Sequence, residues 1–137
     1  MRRSIRIRVL VPVLVVGLVG GGSAFALAKT AGHSFGTVLA MDARGRVVQT
    51  GHDVHLYGTL SSGRNRCKSA RSIEIDRDGA AIATATTTST GHFAFTDSAP
   101  ESATHHYRAK FAGGTFGSAG QNTCKASASR VVTVTVN

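Results

Sequence analysis

A chain of 137 residues is long enough for one hydrophobic core and too short for two large independent domains. The formal net charge of +9 would by itself favour a nucleic-acid partner, but four of the 16 basic residues lie within the first eight positions. Without the first 28 residues, 12 basic residues stand against 7 acidic ones, a net charge of +5. The charge balance therefore gives little support to nucleic-acid binding.

Residues 1–28 predict a secretion signal peptide. Four arginines precede an uncharged apolar run over 9–19, and a segment over 20–28 follows that is rich in small residues and ends in Ala26 and Ala28. We expect cleavage before Lys29. The alternative is an uncleaved membrane anchor, because about 20 uncharged residues can span a bilayer; Pro12 and the glycines at 20–22 weaken that helix. The protein is therefore predicted to be secreted, with membrane contact only if the segment is retained.

The two cysteines, Cys67 and Cys124, both lie in the part expected to be exported. An oxidising compartment lets such a pair persist as a disulfide, and only one pairing is possible. Closing so long a loop would stabilise the fold by about 4 kcal/mol. A metal site or a catalytic thiol is the alternative, which the lack of C-x-x-C spacing and of a neighbouring histidine disfavours.

The remainder of the chain predicts an all-β fold. After residue 28 no stretch repeats apolar residues with helical spacing, whereas several short runs alternate apolar and polar residues. Strands are predicted over 34–41, 53–60, 71–77, 80–87, 92–96, 105–111 and 129–137, with 46–49 pairing back or forming an edge.

The segments between these strands read as turns and loops. Turns are predicted at 42–45, at Asp78–Gly79 and at Thr90–Gly91, while 61–69, 97–104 and the glycine-rich 112–124 are predicted to be loops. About seven short strands separated in this way predict a sandwich of two sheets. Residues 29–51 would supply the N-terminal segment and first strand, and 52–137 the sandwich core of the same single domain.

Strand alternation also predicts which side chains are buried. Glu74 and Asp76 are expected on an outward, solvated face between inward isoleucines. The predicted core comprises Ile73, Ile75, Phe93, Phe95, Tyr107, Phe111, Val132, Val134 and Val136.

The run Thr87–Phe95, with its G-x-F-x-F ending, resembles the signature of bacterial Ig-like and carboxypeptidase-regulatory-like (transthyretin-like) β-sandwiches. The similarity extends over about 52–137 and includes the terminal alternation of valine and threonine. The resemblance implies an extracytoplasmic binding or spacer module and supplies no catalytic residue. Thr88 stands where the family usually has an aspartate, which removes a carboxylate that would stabilise the turn.

Catalytic and metal chemistry find little support in the sequence. The adjacent His105 and His106 must point to opposite faces of a strand, and the histidines are read as solvated surface residues, with His33 in a flexible start. No serine lies in a G-x-S-x-G context, and no pair of carboxylates is arranged for acid–base work. We expect neither enzymatic activity nor a cofactor.

Four cations lie within eight residues beside Cys67: Arg64, Arg66, Lys68 and Arg71. Such a cluster predicts attraction of an anionic surface polymer or lipid headgroup that weakens with salt; a solvated loop is the alternative. Aromatic residues do not interleave with these cations, so stacking of single-stranded nucleic acid is not expected.

Together these features predict a non-enzymatic binding or spacer module at the bacterial cell envelope. The alternative is a secreted effector or inhibitor that docks on a target protein through the 112–124 and 61–69 loops.

Overall fold

Alternating apolar and polar residues build the strands of residues 31–137, which are the residues that the computed structural model describes. The predicted signal peptide lies outside them. In chain order the strands are β1 Ser34–Phe35, β2 Val38–Ala43, β3 Val47–Val48, β4 Val54–Ser61, β5 Ser72–Arg77, β6 Ala80–Thr86, β7 His92–Asp97, β8 Thr104–Phe111, β9 Gly114–Phe116, β10 Asn122–Cys124, β11 Ser127–Ala128 and β12 Val132–Val136. Single turns of 3-10 helix span Asn65–Cys67 and Ser118–Gly120.

The strands form an all-β sandwich, as predicted. A three-stranded sheet, β2-β4-β7, packs against a larger sheet in the order β3-β12-β8-β5-β6, in which β11 also pairs with β8. A third, small sheet, β1-β10-β9, lies at one end. The seven strands of five residues or more correspond to the seven predicted strands, and β3 is the short edge predicted over 46–49.

The core lies between the two larger sheets. Leu39, Leu56 and Leu60 face it from the three-stranded sheet, and Ile73 and Tyr107 from the larger one. The predicted core is confirmed except for Phe95, which is only half-buried.

The predicted disulfide between Cys67 and Cys124 is present, and both cysteines are buried. It joins the 3-10 turn at Asn65–Cys67 to strand β10. The bond therefore holds segments 61–71 and 112–127 at the same end of the sandwich, where β1 also pairs with β10. We call these two segments, with 31–37, the disulfide end.

Two predictions about local structure were wrong. The single strand predicted over 34–41 is broken at Gly36–Thr37, so that β1 joins the small sheet and β2 the three-stranded sheet. Segment 112–124 is not a loop throughout but forms β9, a 3-10 turn and β10. Its backbone pairs with remote residues, for example Thr123 N donating to His33 O at 2.8 Å. Strands of only three residues leave no local periodicity, and the partner of β10 in β1 is remote in sequence.

The turn before β7 is stabilised without the missing carboxylate. His92 N donates to Thr88 Oγ1 at 3.1 Å, so the hydroxyl accepts the bond expected of an aspartate. Gly91 has a φ of +91°, and a Cβ there would lie 2.2 Å from Leu60 O. Only glycine fits this approach to β4.

Asp76 is buried, whereas the alternation placed it in solvent. Its carboxylate pairs with Lys110, and its Oδ1 has no hydrogen-bond partner among the described residues. The strand register shifts between Ile75 and Asp76, and the neighbouring β8 presents Arg108 and Lys110 beside it. Glu74, two residues earlier, is exposed as predicted.

Candidate functional site

The four predicted cations lie together at the disulfide end. Arg64 and Arg66 are exposed, and Lys68 and Arg71 are half-buried. Neither 54–73 nor 102–137 contains an aspartate or glutamate, and 31–41 contains none either. The ion pairs between described residues involve other cations. With Lys125, the disulfide end carries five cations and no acidic residue.

Three acidic residues, Asp53, Asp78 and Asp97, lie at the opposite end. Strand β4 runs from Val54, which pairs with Asp97, to Ser61 at the disulfide end. Asp53 precedes β4, and Asp78 follows β5 as that strand leaves the disulfide end. The sandwich is therefore electrically polarised, and its field would steer an anion towards the disulfide end.

Arg71 has a positioning role within this cluster. Its Nε donates to the carbonyl oxygen of Arg66 at 2.6 Å, and its Nη2 donates to the same oxygen. Its Nη1 lies beside Gly114 of the small sheet. The guanidinium therefore holds the 3-10 turn in place, and Arg64 and Arg66 are the arginines available to a partner.

Arg64 and Arg66 line a groove of about 410 Å³ between the 3-10 turn and the small sheet. Its other polar walls are the amide side chains of Asn65 and Asn122. Its aromatic walls are His33, Phe35 and Phe116. The volume is within the usual range for small-molecule sites, about 300–1,000 Å³.

Strand register explains why the aromatic rings meet in this groove. Phe35 is level with Cys124 and Gly114, and Phe116 pairs with Asn122, two residues along each strand. Because residues two apart on a strand share a face, the side chains of Phe35 and Phe116 project from the same face of the small sheet as that of Cys124, which is the face towards the disulfide. The ring centroids of Phe35 and Phe116 are 5.8 Å apart.

A cation–π contact joins the basic and aromatic walls. The Cζ atom of Arg64 lies 4.9 Å from the centroid of the Phe35 ring, within the range of such contacts. His33 stacks on Phe35 with a centroid distance of 6.3 Å, so the segment predicted to be a flexible start is part of the groove. Along the sequence no aromatic residue interleaves with the cations; the fold brings the aromatics to them.

Chemically, the groove offers fixed charge, hydrogen bonds and apolar area. Guanidinium groups bind carboxylate or phosphate in a planar, two-point manner. Amide side chains both donate and accept hydrogen bonds, and half-buried phenyl rings offer apolar faces. This combination suits recognition of an anion that has further structure.

A larger depression, about 570 Å³, lies on the outer face of the three-stranded sheet around Tyr57 and Ala94. Arg44 is its single cationic wall. It lies outside the basic cluster, and none of the predicted site residues lines it.

The histidines do not form a metal site within residues 31–137, where no group of three or more potential ligands is placed to hold an ion. His55 and His92 each contact a threonine hydroxyl across the strand pair, both at 3.1 Å. His105 differs from the prediction because it is buried.

His105 is held between two acceptors. Its Nδ1 lies 2.7 Å from Asp78 Oδ2, and its Nε2 lies 2.9 Å from Glu101 O. Both nitrogens can donate only in the imidazolium form. The hydrogen bond to Asp78 is the main cause that raises the pKa of His105 above its ordinary value, against the opposing effect of burial. The pKa of Asp78 is lowered, because its bonds to His105 and to His106 N outweigh desolvation.

We expect this pair to make the stability of the fold depend on pH. Because the folded pKa of His105 is raised, its contribution is complete below its ordinary pKa of 6.5 and is lost as the pH rises through the folded value. The free energy of unfolding of His105→Gln, measured by urea titration at a series of pH values, should lack this decline with rising pH, whereas that of His106→Gln should keep it. An identical pH profile for the wild type and His105→Gln would contradict the assignment.

No helix within residues 31–137 is long and apolar enough to cross a membrane.

No protein-family model matches the chain, and no curated protein shows significant similarity to it.

Proposed function

We propose that this protein is a non-enzymatic binding module that acts outside the cytoplasm of a bacterium and holds an anionic polymer of the cell envelope in the groove at its disulfide end. One observation carries the proposal. Five cations and no acidic residue occupy that end, and two of the cations, Arg64 and Arg66, line a groove whose walls are joined by a disulfide.

Location outside the cytoplasm is supported by two independent features. Residues 1–28 have the order of a secretion signal, and the Cys67–Cys124 bond is of a kind that persists in oxidising compartments. The sandwich of seven long strands supports the proposed kinship with Ig-like or transthyretin-like modules.

The second candidate is an effector or inhibitor that docks on a target protein through segments 61–69 and 112–124. It is favoured by the fact that both segments line the same groove, the first with Arg64 and Arg66, the second with Phe116 and Asn122. Rigid aromatic and arginine side chains are also the residues that most often dominate protein interfaces.

The charge variant Arg64→Glu/Arg66→Glu tests the proposal. The protein is purified after expression of the full chain and sedimented with an insoluble envelope fraction and with vesicles of anionic lipid. We expect the wild type to sediment with the envelope fraction in a salt-dependent manner, and the variant to lose at least about tenfold in apparent affinity.

Arg44→Glu/Arg130→Glu is the matched control, because both arginines are exposed, lie outside the groove, and change the net charge equally. It should retain most of the binding. An equal loss of envelope binding in the two variants would show that net charge is the cause and would overturn the groove as the binding site. Sedimentation with the vesicles and not with the envelope fraction would identify anionic lipid as the partner and overturn the polymer. A saturable protein partner captured from the medium, with no polymer binding, would favour the second candidate.

A further inference from the structure

We infer that the groove recognises an acidic sugar residue of a glycan chain, with its anionic group on Arg64 and Arg66 and its ring face on Phe116. The inference rests on the proposed function and names the class of polymer. It follows from the amide and aromatic walls of the groove, because charge attraction alone would not need them.

The groove combines three kinds of surface within a small space. Arg64 and Arg66 supply positive charge, Asn65 and Asn122 supply amide groups, and Phe116 supplies a half-buried ring. A polyanion held by charge alone would use only the first. A ligand that uses all three has an anionic group, hydroxyl groups and an apolar face.

A sugar ring that carries a carboxylate or phosphate has these three features. The face of a phenyl ring is electron-rich and attracts the weakly positive C–H groups on one side of a pyranose. Amides can donate to and accept from the hydroxyl groups at the edge of the sugar. Guanidinium groups pair with the carboxylate or phosphate through two parallel hydrogen bonds.

The arrangement of the aromatics favours a sugar over a nucleic-acid base. Single-stranded nucleic acid is usually held on a row of open aromatic faces along a basic channel. Here one face of Phe35 is covered by the guanidinium of Arg64, 4.9 Å from its centroid, and His33 stacks on the same ring. Phe116 meets Phe35 at a tilt of 32° and is only half-buried, so we assign the ligand to its ring, and a groove of about 410 Å³ accommodates one or two rings of a chain.

The binding groups are also held in place before a ligand arrives. Arg64 is packed on Phe35, and Arg71 fixes the carbonyl of Arg66. The disulfide joins the turn that carries them to the sheet that carries Phe116 and Asn122. Fewer side chains must be ordered on binding, which lowers the entropic cost.

The test compares two polymers of equal charge per unit, polygalacturonate and poly-L-glutamate, with oligothymidylate as a third probe. Affinity is measured by titration calorimetry on the protein purified after expression of the full chain. We expect the wild type to bind polygalacturonate about tenfold or more tightly than poly-L-glutamate.

Phe116→Leu removes the π face and keeps an apolar side chain, which protects the packing of Phe116 against the core. It should weaken binding of polygalacturonate by about three- to tenfold and leave poly-L-glutamate unchanged. Asn65→Ala, at an exposed position outside the core, should act in the same direction without loss of thermal stability. Arg64→Glu/Arg66→Glu should weaken binding of both polymers.

The outcomes separate the inference from the proposed function. Equal affinity for polygalacturonate and poly-L-glutamate, or an equal loss of affinity for both in Phe116→Leu, would overturn recognition of a sugar. The proposed function would stand in that case if Arg64→Glu/Arg66→Glu still abolished anion binding. Tighter binding of oligothymidylate than of polygalacturonate would overturn it in favour of nucleic acid. Binding of none of the probes, together with no effect of the charge variant on the envelope fraction, would overturn both.

Discussion

Replacing Cys67 and Cys124 together by alanine is expected to lower the free energy of unfolding by about 4 kcal/mol. The bond closes a loop with a sequence separation of 57 residues, so its removal releases a large part of the unfolded chain from constraint. A small domain is stable by only about 5–15 kcal/mol, so this change is a large share of the total. Urea unfolding followed by circular dichroism measures it.

Reduction provides the control for this prediction. A reductant should shift the urea midpoint of the wild type towards that of the double alanine variant and should leave the variant unchanged. Because both cysteines are buried, the alanines also remove packed atoms, and the variant should unfold slightly earlier than the reduced wild type. Equal midpoints for the oxidised wild type and the variant would show that the bond does not stabilise the fold.

The long strands could be predicted because their alternation is local. In Ser72–Arg77 and His92–Asp97, neighbouring residues already indicate strand and turn, and Gly91 marks the turn before the second. The small sheet could not be predicted in this way. Strands β9 and β10 have only three residues each and lie in a glycine-rich segment, and β10 pairs with Ser34–Phe35, which are remote from it in sequence.

Only the cationic residues of the candidate site could be predicted from the sequence. Arg64 and Arg66 form a cluster along the sequence, so their proximity needs no knowledge of the fold. Phe35 and Phe116 join them through strand pairing, which only the structure reveals. One signal was available in the sequence, because each phenylalanine precedes a glycine. Phe116 lies outside the predicted strands, and Phe35 lies in the predicted first strand, which is broken directly after it.

The buried polar residues show the limit of reasoning from alternation. Alternation assigns Asp76 to solvent, and it places His105 on the inward face shared with Tyr107, although its polarity favoured a surface position. Each is buried beside an oppositely charged or hydrogen-bonding partner. The partners, Lys110 and Asp78, lie on other strands or turns. Burial of charge therefore depends on cross-strand neighbours, which a single strand cannot reveal.

A buried hydrogen-bond cluster joins the two sheets at the end opposite the disulfide. Tyr107 of the larger sheet donates through its hydroxyl to Asp97 Oδ2 at 2.7 Å, and Arg77 Nη1 lies 2.7 Å from the same oxygen. The bond to Asp97 raises the pKa of Arg77, and burial is the main cause that raises the pKa of Tyr107 well above its usual value. Asp97 thus serves as the acceptor for both partners.

Asp97→Ala is expected to lower the free energy of unfolding by about 3 kcal/mol, because it leaves a buried hydroxyl and a guanidinium without their acceptor. Tyr107→Phe removes one donor and should cost about 1 kcal/mol. Because both changes abolish the same bond, the double variant should lose less than the sum of the two. Asp42→Ala is the control, since Asp42 and its partner Arg46 are both exposed, and should cost about 0.5 kcal/mol or less. A loss in Asp97→Ala no larger than this would show that the cluster does not hold the sheets together.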